Sequence, residues 1–66
     1  MTQLAPHVQR MCDELAELEE RMAKLVAFTE TDTFKSLSET EQSLLLAQST
    51  AMETYSNILN LRIKLA

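Results

Sequence analysis

Residues 42–65, QSLLLAQSTAMETYSNILNLRIKL, form the least charged part of the chain, with Glu53 as the one charged residue before Arg62. Leucine, alanine, methionine and glutamine are good helix formers, and the stretch contains no glycine or proline. Just before it, Ser38 is followed three residues later by Glu41, which is the pattern of a capping box at the start of a helix. The sequence therefore predicts a long helix, helix 2, over about residues 38–65.

The apolar residues of helix 2 fall on two faces instead of one. The first apolar set comprises Leu45, Met52, Leu59 and Ile63. The second apolar set comprises Leu44, Ala47, Ala51, Ile58, Leu61 and Leu65. Together they cover roughly 200° of the helix, whereas an ordinary surface helix has an apolar stripe of about 100°. We expect helix 1 to cover one set and another subunit to cover the other. The alternative is a partly exposed second set, since single surface leucines are common.

Helix 1 is predicted over about residues 5–29 from a heptad repeat of apolar residues, and Pro6 suits its first turn. The repeat comprises Leu4, Val8, Met11, Leu15, Leu18, Met22 and Leu25. Opposite charges at a spacing of four support an exposed helix, and they occur here as the pairs Arg10–Glu14, Glu17–Arg21 and Glu20–Lys24.

Residues 30–37 are predicted to connect the two helices, because the side chains of Thr31, Asp32 and Thr33 favour turns and caps. We expect Phe34 and Leu37 to pack under this connection. A short connection makes two long helices antiparallel neighbours. The predicted fold class is therefore all-α, with a single domain over residues 1–66 that forms an antiparallel two-helix hairpin and assembles into a homo-oligomeric helical bundle.

The short chain is the second reason to expect an oligomer. A core built from 66 residues supplies only about 3–5 kcal/mol, and small domains add disulfides, metals or further subunits. Cys12 is the only cysteine and His7 the only histidine, so neither an internal disulfide nor a metal site is expected. We expect a homo-oligomer, with a tetramer or hexamer favoured.

Charge and hydropathy exclude several partner classes. The net charge of −4 argues against direct nucleic-acid binding, which relies on a basic surface. The sequence lacks an apolar run of about 18 residues, so no membrane partner is expected. Residues 1–10 lack the positive-then-apolar order of a signal peptide, which predicts a cytoplasmic protein.

Three polar residues seven apart, Gln48, Tyr55 and Arg62, form one line along helix 2, between the two apolar sets. We call this line the polar row. Burial of an amide, a phenol and a guanidinium is costly unless each group finds a partner. One interpretation is structural, with these groups bonding across a helix interface and fixing its register. The other is a ligand site, because arginine suits phosphate, tyrosine stacks on a base and glutamine bonds a base edge.

Helix 1 carries a matching line beside its apolar repeat, which we call the charged flank. It comprises Arg10, Glu14, Glu17, Arg21, Lys24 and Phe28. Most such lines are simply solvated. However, Arg21, Lys24 and Phe28 place two cations and a ring within two turns, which is half of an anion-and-base pocket.

The residues needed for catalysis are absent from the sequence. There is no glycine-rich loop to cradle a phosphate and no Ser/His/Asp set. His7 and Cys12 are five residues apart, which places them on different faces of a helix. We therefore expect neither an enzyme nor a cofactor.

The run from Glu14 to Ile63 resembles a family of very small helical-hairpin proteins encoded by bacteriophages. The shared frame includes Glu14-Leu15, Leu18, Arg21, Lys24-Leu25, Phe28, Phe34, Leu37, Glu41-Gln42, Leu44-Leu45, Gln48, Met52, Tyr55, Leu59 and Arg62-Ile63. The positions that are commonly polar in this family match here at Arg21, Lys24, Gln48, Tyr55 and Arg62. The resemblance implies a phage accessory protein that antagonises bacterial immunity, and some such proteins sequester cyclic nucleotide signals within symmetric oligomers.

The leading hypothesis is thus a non-enzymatic protein that binds a cyclic nucleotide messenger between subunits. Its candidate ligand-binding residues are Arg21, Lys24, Phe28, Phe34, Gln48, Tyr55 and Arg62. A second hypothesis is an inhibitor of a host nuclease or CRISPR effector, acting through an acidic surface formed by Asp13, Glu14, Glu17, Glu19 and Glu20. A third is a purely structural oligomeric scaffold.

Overall fold

The computed structural model describes residues 5–66, and every regular element in that range is a helix. The elements are α1, Pro6–Thr29, α2, Asp32–Lys35, and α3, Glu39–Leu65. The all-α prediction is therefore confirmed, and α1 and α3 correspond to helices 1 and 2. The connection differs from expectation because it contains the one-turn helix α2. Leu4, the first residue of the predicted repeat, lies outside the described range.

The helix boundaries follow local side-chain chemistry. Pro6 is the first residue of α1, as predicted, and no side chain caps that end. The Ser38 hydroxyl accepts a hydrogen bond of 3.1 Å from the backbone N–H of Glu41, so the serine half of the capping box begins α3. Thr31 caps α2 in the same way, because its hydroxyl accepts a bond of 3.2 Å from the N–H of Phe34.

The connection is held by one aromatic contact and one amide. Phe34 is 7% exposed and meets Phe28 edge to face, with ring centroids 6.1 Å apart. The Gln42 amide donates to the carbonyl oxygens of Leu37 at 2.9 Å and Lys35 at 3.3 Å, which ties the first turns of α3 to the connection. The prediction that Phe34 packs under the connection is confirmed.

The beginning of α1 packs against the end of α3. Val8 and Met11 form a buried cluster with Leu59, which has no exposed surface. Contact between the start of one helix and the end of the other means that α1 and α3 run antiparallel. Partly buried residues extend the cluster, namely Cys12, Leu15, Leu18 and Ile63. The heptad repeat of α1 is thus its contact face, as the sequence predicts.

The face of α3 that meets α1 repeats at heptad spacing, and we call it the inner face. It contains every residue of α3 that is not exposed, namely Gln42, Leu45, Ser49, Met52, Ser56, Leu59 and Ile63. The first apolar set therefore packs against α1. The second apolar set is exposed, and Leu44, Leu61 and Leu65 keep 65%, 59% and 87% of their surface.

The described chain is a thin rod. Its extents are 50 × 17 × 13 Å and its radius of gyration is 15.3 Å, against about 11 Å for a compact domain of this length. No helix within residues 5–66 combines the length and hydropathy of a membrane span.

Candidate functional site

One hydrogen bond fixes how the polar row of α3 lies relative to the charged flank of α1. The Tyr55 hydroxyl donates to the carboxylate of Glu14, 41 residues away in sequence. This bond, reinforced by burial and by the charge of Glu14, raises the pKa of Tyr55 above its usual 10.0, and the nearby charge of Arg62 opposes that rise. The two lines therefore share one side of the helix pair.

The Tyr55–Glu14 bond also sets the level of the other members. One heptad advances either helix by about 10.5 Å, and the helices run in opposite directions. Gln48 therefore lies at the level of Arg21, whereas Arg62 lies beside the first turn of α1. The predicted Arg10–Glu14 ion pair does not form within residues 5–66, because the Glu14 carboxylate accepts from Tyr55 instead.

The polar row is exposed in the single chain. Gln48 and Arg62 are exposed and Tyr55 keeps 38% of its surface. The row does lie between the two apolar sets, but nothing in residues 5–66 covers the second set, so water reaches the row from that side. Apart from the Tyr55 bond, the row makes one side-chain hydrogen bond within residues 5–66. The Gln48 amide donates it to the Met52 sulfur, a weak acceptor, at 4.0 Å.

The cations of the charged flank form weak surface pairs. Arg21 lies 3.9 Å from Glu17, and Lys24 lies 3.2 Å from Glu20, which confirms two of the three predicted pairs. Exposed pairs of this kind contribute about 0–1 kcal/mol. Both cations can therefore exchange their carboxylate for another anion at little cost.

The two phenylalanines lie far from Tyr55, the centre of the polar row. Glu14, the partner of Tyr55, and Phe28 are fourteen residues apart, which is about 21 Å along α1. Phe34 is buried against Phe28, so its ring face is not available for stacking. The seven candidate residues therefore do not form one pocket in a single chain.

A groove that the sequence reasoning missed lies on the opposite flank of the helix pair. Its volume is about 720 Å³, and none of the seven candidate ligand-binding residues lines it. The lining residues are Glu19, Met22, Ala23, Val26, Ala27, Glu30, Ser49, Glu53 and Ser56. The signal in the sequence was the small side chain of Ser49 and of Ser56 on the inner face of α3, opposite the alanines of α1. Three carboxylates border the groove, so it repels phosphate.

Comparison with known proteins gives one match. The family model described as Sequestin matches residues 5–65, which is nearly the whole chain. No curated protein and no solved structure matches the sequence.

Proposed function

Because the chain belongs to the Sequestin family, we propose that it is a phage accessory protein that binds and sequesters a cyclic nucleotide immune messenger between its subunits. The family name indicates sequestration, which is a binding role and not a catalytic one. In this proposal the antiparallel helix pair is the unit of a homo-oligomer in the cytoplasm of the host cell. Each bound messenger is withheld from its receptor and is not chemically changed.

The observation that carries this proposal is the composition of one side of the helix pair. Arg21, Tyr55 and Arg62 lie on that side. Arginine binds phosphate and the tyrosine ring stacks on a base. The exposed second apolar set lies beside Tyr55 and Arg62 on α3. A site shared between two subunits needs polar side chains beside an apolar face that the second subunit can cover. Each chain supplies one such half.

The spread of the candidates favours a site made from more than one chain. A single subunit presents its cations and rings in a line along the rod, and a nucleotide touches only one or two of them. When a second subunit covers the apolar face, side chains from both subunits line the cleft between them. Burial there strengthens the attraction between arginine and phosphate, since water no longer screens it.

We assign the residues different roles. Arg62 binds phosphate, because within residues 5–66 it forms no ion pair with a carboxylate. Arg21 and Lys24 contribute after leaving their glutamates. Tyr55 stacks on the base and Gln48 bonds the base edge, while Phe28 adds a ring at the far end. Phe34 supports Phe28 from beneath and is the least accessible of the candidates.

The groove favours a second candidate function, a protein-directed inhibitor. Glu19, Glu30 and Glu53 border an apolar channel of about 720 Å³, which suits a cationic amphipathic helix. The acidic surface proposed from sequence is weaker than its charge count suggests. Glu17 and Glu20 pair with cations of α1, and Glu14 is bonded to Tyr55. High salt should weaken such a protein complex strongly.

Calorimetric titration tests the proposal with cyclic dinucleotides, cyclic trinucleotides and cyclic ADP-ribose isomers as probes. We expect one probe to bind and to raise the unfolding temperature, since a ligand at a hundred times its Kd adds about 2.7 kcal/mol. Arg62→Ala should abolish binding. Lys64→Ala is the matched control, because it removes a neighbouring cation outside the polar row.

Failure of every probe to bind would reject the messenger hypothesis. A stoichiometric host protein recovered in a pull-down would then support the inhibitor. An oligomer that binds neither class would support the scaffold.

A further inference from the structure

The exposed side of α3 has a repeat of its own. The second apolar set, with Thr54 added, advances by alternating steps of three and four residues, which is the spacing of a helix–helix seam. We call it the outer face, and it comprises Leu44, Ala47, Ala51, Thr54, Ile58, Leu61 and Leu65. All seven residues are exposed. A second complete seam on one helix indicates a second helix partner.

The exposed area has the size of a subunit contact. The chain has an accessible surface of 5201 Å², whereas a compact protein of its mass has about 4,200 Å². The excess of about 1,000 Å² is close to the roughly 800 Å² that each partner buries in a standard interface. The elongated shape as a whole produces this excess, and a second chain along the outer face would bury a comparable area.

We propose that the outer face of α3 packs against the outer face of a second copy, antiparallel, with a two-fold axis between the levels of Ala51 and Thr54. The inference rests on the proposed function, because it specifies the shared assembly which that function requires. A two-fold contact is self-complementary, so each residue must fit the residue placed symmetrically across the axis.

The sizes of the side chains on the outer face fit a two-fold symmetric contact. In the antiparallel arrangement Ala47 lies opposite the partner's Ile58, Ala51 opposite the partner's Thr54, and Leu44 opposite the partner's Leu61. A small residue thus faces a large one on either side of a narrow centre. A parallel arrangement would set Ala47 on the partner's Ala47 and Ile58 on the partner's Ile58, and the helices would be spaced unevenly.

The charges along the polar row also fit a two-fold symmetric contact. Glu41 precedes Gln48 by seven residues, so the polar row extends to four positions at heptad spacing. Antiparallel helices bring equivalent flanking positions together, which places Glu41 against the partner's Arg62. The first turn of α3 is acidic and its last turn basic, so both ends gain attraction. A parallel pair would place the polar rows of the two helices on opposite sides of the contact, so Glu41 and the partner's Arg62 would not meet.

This arrangement would bring groups of both subunits into the ligand site, where a bound phosphate would compete with the partner's Glu41 for Arg62. Gln48 faces the partner's Tyr55, and Arg21 lies at the level of Gln48 within its own chain. A cation and a ring that one subunit keeps a heptad apart would therefore meet at the contact, twice by symmetry. Each dimer would carry two equivalent clefts for a phosphate-bearing, base-bearing ligand.

Disulfide trapping tests the orientation. In a Cys12→Ser background, Ala47→Cys and Ile58→Cys chains are mixed and oxidised. The proposal expects the mixed disulfide between the two variants. Two Ala47 positions would be about 16 Å apart along an antiparallel pair, beyond the reach of a disulfide of about 7 Å between Cα atoms. A self-linked Ala47→Cys dimer, or no link at all, would overturn the arrangement.

A charge swap provides an independent test that does not depend on cysteine geometry. Glu41→Arg and Arg62→Glu should each raise the dissociation constant of the assembly at least about tenfold, and the double variant should restore it. Glu39→Arg is the matched control, since Glu39 lies in the same acidic first turn of α3 but outside the polar row. Failure of the double variant to rescue assembly would reject the pairing of Glu41 with Arg62.

The two readouts separate this inference from the ligand hypothesis. Native mass reports the assembly, and titration with cyclic dinucleotides reports the ligand. An antiparallel dimer that binds none of the probes rejects only the messenger. Messenger binding by a chain that stays monomeric at micromolar concentration rejects the dimer.

Discussion

The inner and outer faces of α3 have the same heptad spacing but a different composition. The inner face, which packs against α1, includes three polar residues, Gln42, Ser49 and Ser56. The outer face, which faces water in the single chain, includes one, Thr54. The exposed seam is thus the more apolar of the two, which is the reverse of what burial alone would select. This difference in composition is the reason for proposing that α3 makes a second contact beyond its own chain.

The largest effect is expected at the centre of the inner face. Leu59 has no exposed surface and contacts both Val8 and Met11, so Leu59→Ala should destabilise the helix pair by about 2–5 kcal/mol. Chemical denaturation followed by circular dichroism measures this loss. A change below about 0.5 kcal/mol, the scale of an ordinary surface substitution, would mean that α1 and α3 do not pack as described.

The matched substitution on the outer face should separate stability from assembly. Leu61 keeps 59% of its surface in the single chain, so Leu61→Ala should change the folding of an isolated chain by no more than about 0.5 kcal/mol. It should nevertheless raise the dissociation constant of the oligomer at least about tenfold, since the lost burial counts in both subunits. Light scattering across a dilution series measures the shift. Equal assembly by both proteins would remove the outer face from the interface.

Much of the fold could be predicted from sequence because it depends on local chemistry. Pro6, Ser38 and the heptad repeat of α1 act over one or two turns, and the structure places the helix ends at those signals. The one-turn helix α2 was missed because Thr31, Asp32 and Thr33 are equally suited to a turn. Thr31 caps a short helix, whose residue Phe34 is buried by tertiary contact.

The candidate site was less predictable, because periodicity gives the face of a residue but not what covers that face. Gln48, Tyr55 and Arg62 lie between the two apolar sets, as the sequence predicts, but all three are exposed in the single chain. The bond from Tyr55 to Glu14 is equally non-local, since it depends on the register of α1 against α3. The groove was missed because it forms where side chains are small.

The groove provides a smaller test of the inner face. Ser49 is half-buried on that face and lines the groove with Ser56, so Ser49→Leu adds apolar surface where room exists. We expect a gain in the free energy of unfolding of about 1 kcal/mol, the value of burying one or two methylene groups. Ser43→Leu is the control, since Ser43 is exposed on the same helix. A loss of stability at Ser49 would indicate that another chain already fills the groove.

The smallest effect concerns the boundary between the two faces, where Tyr55 donates to Glu14. The pKa of Tyr55 is raised in the fold, so the neutral phenol is favoured there relative to the unfolded chain. The resulting stability should be fully present below pH 10 and lost as the pH rises through the higher pKa of the folded state.

Tyr55 is the only tyrosine, so phenolate absorbance reports this one group. Glu14→Gln should lower its titration midpoint, because the bond from the phenol to a carboxylate is lost, whereas Glu17→Gln should leave the midpoint unchanged. A wild-type midpoint equal to that of Glu14→Gln would show that this bond does not anchor the polar row to α1, and the packing of the inner face would then be the sole link that sets the register of the two helices.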